Sequence, residues 1–183
     1  MAAQSLRKIA QALDGAGIGY MVIGGQAVLL YGDPRLTEDI DITLAATPDE
    51  VDTLLALAVR EGWRALPEHP RDFAQEMYVL PAVSAEGVRV DFIFSFTPFE
   101  REAIARARTH QIEGAPVRFA APEDLIAMKM FAGRPRDLED ARNILLRNPG
   151  MELDYLRQRL AELEQGMERS LLQEFERLLP EGA

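Results

Sequence analysis

Asp39, Asp41 and Asp91 are the residues in this sequence whose types and spacing best suit chemistry. In the run Asp39-Ile40-Asp41-Ile42, acidic and apolar residues alternate. Residues two apart on a strand point to the same face, so both carboxylates project together while Ile40 and Ile42 turn to the core. Parallel carboxylates repel unless a cation joins them, and hard oxygen donors suit Mg²⁺. Asp91 has an equivalent setting, because Val88, Val90, Phe92 and Phe94 alternate with Arg89, Asp91 and Ile93. If the two strands are neighbours, the three acids converge. Such a set can hold two metals roughly 3.5–4 Å apart, the arrangement that activates an attacking oxygen and clamps a triphosphate.

An exposed strand with solvated aspartates is the competing reading of an isolated Asp-x-Asp. The segment upstream favours chemistry. Val22-Ile23-Gly24-Gly25 reads as a strand ending in glycines that open a helix. That geometry presents backbone N–H groups and the positive end of a helix dipole, a cradle for phosphate. Gly15-x-Gly17-x-Gly19 is not a dinucleotide fingerprint, because it precedes a strand where the fingerprint must follow one. His69 and His110 stand apart without ligand spacing and are expected at the surface. Lys129 and Asp140 lie at the margins of two apolar helix faces. Two readings stay open for them. Either they pair with each other, or Lys129 reaches triphosphate oxygens while Asp140 orients Lys129 or the base.

The elements that must position these residues follow from periodicity. Leu6, Ile9, Ala10 and Leu13 mark an amphipathic helix closed by Asp14-Gly15. A strand at Tyr20–Ile23, a helix from Gln26 to Tyr31 and a turn at Asp33-Pro34 come next. Further strands are expected at Asp39–Ala45, Glu76–Val83, Val88–Ser95 and Val117–Ala120. Thr47-Pro48-Asp49-Glu50 and Thr97-Pro98-Phe99-Glu100 each read as a capping box with proline at the first helical position. From Pro122 onward only helices are expected, at Pro122–Ala132, Arg136–Arg147, Leu153–Glu164 and Met167–Leu179. The pattern predicts a mixed α/β sheet domain followed by a helical tail.

Composition sets the outer limits. The chain has 183 residues, 48% hydrophobic and 27% charged, enough for one sizeable core. No apolar run approaches the ~20 residues that span a bilayer. The N-terminus carries Arg7 and Lys8 but no apolar stretch of the secretory kind, and a cytoplasmic location is expected. The absence of cysteine excludes disulfides, a thiol nucleophile and cysteine-bound zinc. A net charge of -10 disfavours bulk binding of polyanions. Arg101, Arg106 and Arg108, or Arg134 and Arg136, are candidates for a local basic patch, although surface arginines of this kind are more often plain solvated charges.

Val22-Ile-Gly-Gly-Gln-Ala-Val, Tyr31-Gly and Arg35-Leu-Thr37-Glu-Asp39-Ile-Asp41 together resemble the first motif of the polymerase-β-like nucleotidyltransferase superfamily. Glu123-Asp-Leu-Ile-Ala-Met-Lys129, followed by Arg134-Pro-Arg136-Asp137-Leu-Glu-Asp140, looks like the later motifs of AbiEii-type nucleotidyltransferases. Those proteins are toxin components of toxin–antitoxin and phage-defence systems. The resemblance spans roughly Tyr20 to Leu146.

It implies an α+β nucleotidyltransferase core over residues 1–120 and a helical region over 121–183 that completes the nucleotide pocket. It also implies Asp39 and Asp41 as ligands of two Mg²⁺ ions, Asp91 as the third ligand and acceptor of a proton, and Gly24 and Gly25 facing phosphates. Lys129 and Asp140 would contribute to the nucleotide pocket, and Arg35 and Thr37 would brace the loop before the acids. Many superfamily members have Gly-Ser where this chain has Gly24-Gly25. Gly-Gly forms are familiar in lincosamide and aminoglycoside nucleotidyltransferases, so the departure blurs the acceptor class.

The expected partners are a nucleoside triphosphate, an acceptor that is tRNA or a small molecule, and an antitoxin protein, with no membrane. The lead reading is a toxin acting on tRNA or another macromolecule. A small-molecule nucleotidyltransferase and a non-catalytic nucleotide-binding module are the alternatives.

Overall fold

Alternation at Asp39–Leu44 and Arg89–Phe94 builds the two strands at the centre of the sheet. The computed structural model describes residues 1–34 and 36–179. Arg35, expected to brace the loop before the acids, lies outside the described residues. The chain divides into two compact units. Met1–Gln26 with Leu36–Ala120 form the first, and the described residues of the intervening segment and from Ala121 onward form the second.

In the first unit, α1 (Ala2–Gly15) leads into β1 (Tyr20–Ile23), and α2 begins at Gly24 and runs to Tyr31. Next come β2 (Asp39–Leu44), a 3-10 turn at Pro48–Glu50, α3 (Val51–Glu61), β3 (Arg64–Ala65) and α4 (Pro70–Met77). The unit continues through β4 (Val79–Val83), β5 (Arg89–Phe94), α5 (Pro98–Arg106), β6 (Arg108–Ile112) and β7 (Ala115–Phe119). The seven strands form one mixed sheet in the order β3-β4-β5-β2-β1-β7-β6. β2 runs parallel to β5 and antiparallel to β1, and β7 lies parallel to β1 on the other side.

One face of this sheet is dry. Ile40, Ile42 and Leu44 of β2, Val90, Phe92 and Phe94 of β5, and Leu80 and Ala82 of β4 are all buried. Each of these side chains larger than alanine stabilises the fold by about 1.5–3 kcal/mol relative to exposure. Leu6, Ile9, Ala10 and Leu13 of α1 are buried as the periodicity requires, and α1 packs against β7 and β2. Trp63 stacks on Phe92 at 5.2 Å. The capping box at Thr97 forms in full. Thr97 N–H donates to Glu100 Oε2 at 2.9 Å, and Glu100 N–H donates to Thr97 Oγ1 at 3.2 Å. The Thr47 box opens the 3-10 turn, so α3 itself begins only at Val51.

The strand expected over Glu76–Val83 starts three residues later, at Val79. Glu76 and Met77 instead finish α4, which Pro70 opens as a first-turn proline and Tyr78 ends in the left-handed conformation at φ 56°. β3 and β6 are additional strands, and β6 leaves none of its residues fully buried.

The second unit is helical. It comprises the described residues of the 27–34 segment, α6 (Pro122–Ala132), α7 (Pro135–Arg147), α8 (Leu153–Leu163) and α9 (Leu171–Glu176). Leu125, Ile126, Met130, Ile144, Leu156, Leu160, Leu171 and Phe175 make its core. Gly133 ends α6 at φ +65°, and a Cβ there would collide with the Arg169 guanidinium, which donates to Met130 O at 3.0 Å. The last helix is shorter than Met167–Leu179, because Ser170 caps it by accepting from Gln173 N–H. No helix among the described residues is long and apolar enough to cross a membrane.

Candidate functional site

The pairing of β2 with β5 places Asp41 opposite Asp91 and Asp39 opposite Arg89. Strand neighbours lie roughly 4.8 Å apart, and partners in register share a face. Asp39, Asp41 and Asp91 therefore occupy adjacent positions on the face of the sheet opposite Ile40, Phe92 and Phe94. All three are half-buried. The register of β1 adds Ile23 opposite Asp41, so the bend at Gly24 falls beside the Asp41 carboxylate.

Two glycines make that approach possible. Gly24 has φ +59°, and a Cβ on it would lie 2.8 Å from Asp41 Cγ and collide with Oδ2. A Cβ on Gly25 would lie 2.7 Å from Thr37 Cβ and collide with its hydroxyl. At Gly24 only glycine meets both demands, left-handed backbone and close approach. Thr37 Oγ1 donates to Asp39 Oδ1 at 3.2 Å, and Gln26 Nε2 donates to Asp39 O at 3.3 Å. The loop before β2 and the first turn of α2 thus hold the first acid.

Asp91 is directed differently. Arg89 Nε donates to Asp91 Oδ1 at 3.2 Å, and its Nη2 donates to Oδ2 at 3.3 Å. Arg89 is a residue of this face that sequence reasoning passed over. Its place opposite Asp39 depends on register, which periodicity does not reveal, although its two-residue spacing from Asp91 was visible. With Asp91 drawn to Arg89, no three acidic or histidine side chains among the described residues gather closely enough to hold an ion. The strand positions nevertheless suit a hard divalent cation. Three carboxylates share one face, they supply only oxygen, and the glycine bend brings backbone up against the Asp41 carboxylate.

Lys129 and Asp140 lie in the second unit. Lys129 Nζ is 2.8 Å from Asp137 Oδ1 and 2.9 Å from Asp140 Oδ2, and Lys129 is only 7% exposed. Burial pushes the Asp137 carboxyl up. Hydrogen bonds and charge from Arg134 and Lys129 outweigh that, holding it below the usual 3.8. Asp137, not singled out as a site residue from sequence, is the centre of this cluster. His69 is exposed, as expected. His110 is half-buried edge-on to Phe119 at 5.7 Å, and burial together with Arg108 lowers its pKa.

With this geometry in view, likeness to other proteins is informative. A family model described as "Nucleotidyl transferase of unknown function (DUF2204)" matches residues 2–180. No curated protein matches the chain. Among solved structures, an antigenic nucleotidyltransferase-like protein from Paracoccidioides brasiliensis superposes with a TM-score of 0.58 at 20% identity, covering 90% of this chain and 88% of that one. The antibiotic-resistance factor ANT(2'')-Ia in solution gives 0.59 at 22% identity, with 90% and 95% covered. The same factor in complex with adenylyl-2''-tobramycin gives 0.59 at 20% identity, with 90% and 97% covered. At these identities the likeness to solved structures establishes a shared fold.

Proposed function

Since the chain belongs to this nucleotidyl transferase family and is an enzyme of that class, we propose that it transfers a nucleoside monophosphate from a nucleoside triphosphate to an acceptor hydroxyl. The observation that carries the assignment of residues is the in-register pair Asp41–Asp91, with Asp39 beside it and the Gly24 bend adjoining. Asp39, Asp41 and Asp91 would hold divalent cations, with Mg²⁺ the natural choice for an all-oxygen set and two ions expected with bound nucleotide. Bound there, the cations would supply Lewis-acid stabilisation of charge on the phosphates and the attacking oxygen.

The chain's own residues do the rest. Backbone N–H groups at Gly24 and Gly25 face the phosphates at the start of α2. The acceptor oxygen attacks the α-phosphorus, a new O–P bond forms, and the bond to the β-phosphate oxygen breaks to release pyrophosphate. Asp91 takes the hydroxyl proton, for which it must leave Arg89. Lys129 and Asp140 are nucleotide ligands in this reading, with Asp137 holding Lys129 in place. The reaction belongs in the cytoplasm, where triphosphates are abundant. Labelled nucleoside triphosphates incubated with protein, Mg²⁺ and candidate acceptors should yield labelled product and pyrophosphate. Wild-type protein that forms neither, with any of the four triphosphates, overturns the assignment.

A toxin acting on tRNA or another macromolecule, restrained by an antitoxin, is the second reading. It is supported by the likeness of the Glu123–Lys129 and Arg134–Asp140 segments to AbiEii-type motifs. Growth arrest on expression, relieved by Asp39→Ala, is the expected result. Normal growth with abundant wild-type protein would count against it.

A further inference from the structure

Among the described residues, every hydrogen bond and ion pair of the Arg89 side chain goes to Asp91. The two stand two apart on β5, so both side chains project from one face of the sheet. Register fixes the rest. Arg89 lies opposite Asp39 and Asp91 opposite Asp41, which puts the guanidinium on the same patch of sheet as all three carboxylates. It nevertheless engages one of them. Nε donates to Oδ1 and Nη2 to Oδ2, a fork that takes up both oxygens of Asp91, while Asp39 Oδ1 accepts from Thr37.

Stability gives this fork little reason to exist. The Arg89 side chain is 56% exposed and that of Asp91 22%, and a pair so open to water contributes little to folding. Its consequence for a ligand is larger. A carboxylate oxygen that accepts a guanidinium N–H offers less of its lone pairs to a hard cation, and guanidinium and cation repel each other. A cation that takes Asp91 as a ligand must therefore displace both hydrogen bonds.

We infer that Arg89 is a positioning residue of the metal site, one that holds Asp91 in a fork which a divalent cation has to displace and so sets how readily the three acids load. Arg89 acts through Asp91 and touches no reacting atom. The inference rests on the reading of Asp39, Asp41 and Asp91 as metal ligands. Its sign is distinctive, because deleting a charged side chain from the face should improve the site's hold on metal.

The test is Mn²⁺ binding by the full chain without nucleotide, followed by calorimetry. Arg89→Met should tighten binding about fivefold, the scale of one exposed ion pair. Arg64→Met removes an exposed cation from β3 in the same sheet and should change binding less than about twofold, since solvent screens charges at that separation. Any nearby cation also acts through its field, so a double-mutant cycle with Asp91 is the deciding comparison. In an Asp91→Asn background, Arg89→Met should gain less than about twofold.

Transfer assays supply a second readout. The cation concentration at half-maximal turnover should fall in Arg89→Met by the same factor, with kcat changing less. Equal gains with and without Asp91 would reduce Arg89 to a diffuse charge and overturn the inference. Lowered thermal stability with unchanged Mn²⁺ affinity would make the fork purely structural and overturn it too. Mn²⁺ bound as well by Asp39→Ala as by the wild type would sink the metal reading of the acids. Mn²⁺ bound through Asp39 but indifferent to Arg89 would sink this inference alone.

Discussion

Lys129 lies between Asp137 and Asp140, and its side chain is 9% exposed against 5% and 6% for theirs. Arg134 adds a second cation at 2.5 Å from Asp137. On the open sheet face, Asp39, Asp41 and Asp91 are half-buried side by side, and Arg89 donates to Asp91. The first cluster pairs its acids with cations inside the unit, so its charges hold the helices α6 and α7 in one arrangement. The second sets three carboxylates on neighbouring strand positions within reach of solvent, a state that a folded chain tolerates when something positive is to arrive. A buried ion cluster and a binding site thus differ less in residue type than in burial.

The sharpest way to break this comparison is to neutralise the open face. Asp39→Ala, Asp41→Asn or Asp91→Asn should each remove several kcal/mol of transition-state stabilisation, about a thousandfold in turnover. Thermal midpoints should stay level or rise, because like-charge repulsion is relieved. Near-normal transfer by Asp91→Asn would show that the third acid is not part of the machinery.

Lys129→Met should do the reverse. It strands Asp137 and Asp140 without their shared cation, and breaking a buried pair costs about 3–5 kcal/mol. Denaturant unfolding should register the loss directly. If stability instead holds and only the KM for triphosphate rises, Lys129 is a nucleotide ligand first and a structural cation second.

Gly24→Ala is expected to be milder. A left-handed backbone costs a non-glycine residue about 1–2 kcal/mol, and the new methyl pushes the Asp41 carboxylate aside. Turnover should therefore fall more than stability does, as measured by paired transfer and unfolding assays. A variant with full turnover would mean that Asp41 need not sit against the bend.

How far the sequence reached follows the same physical lines. Helix α6 was legible at both ends because Pro122 and Gly133 each act within one turn. The Thr97 capping box and the alternation around Asp41 and Asp91 were legible for the same reason: all are local. The end of α4 reads as strand because the helix is short and its apolar stripe, Pro70, Phe73, Ala74 and Met77, buries only Ala74. β6, an edge strand, alternates polar with polar. The acids themselves were visible, but the register that sets Asp41 against Asp91 and Arg89 against Asp39 is a contact between distant segments, and no spacing encodes it. The partner of Lys129 was left open for the same reason. Asp137 and Asp140 face it from another helix, and only packing chooses between them and solvent.

The smallest effect concerns acid. Asp137 is held below its ordinary value of 3.8 in the folded state, against burial, by Arg134 and Lys129. A carboxylate whose folded pKa is depressed adds stability that is present above the unfolded value and is lost as pH falls through the folded one. The closed cluster should therefore loosen below about pH 4 as Asp137 takes up its proton. Unfolding free energies from pH 5 down to pH 2 should fall less steeply for Asp137→Asn than for the wild type. The difference in slope is at most one proton, about 1.4 kcal/mol per pH unit. The slope, rather than the level, is the informative quantity, since the substitution also removes an ion pair. Identical slopes would mean that Asp137 titrates alike in folded and unfolded chains, and its pairing with Arg134 and Lys129 would then not set it apart from the acids on the sheet.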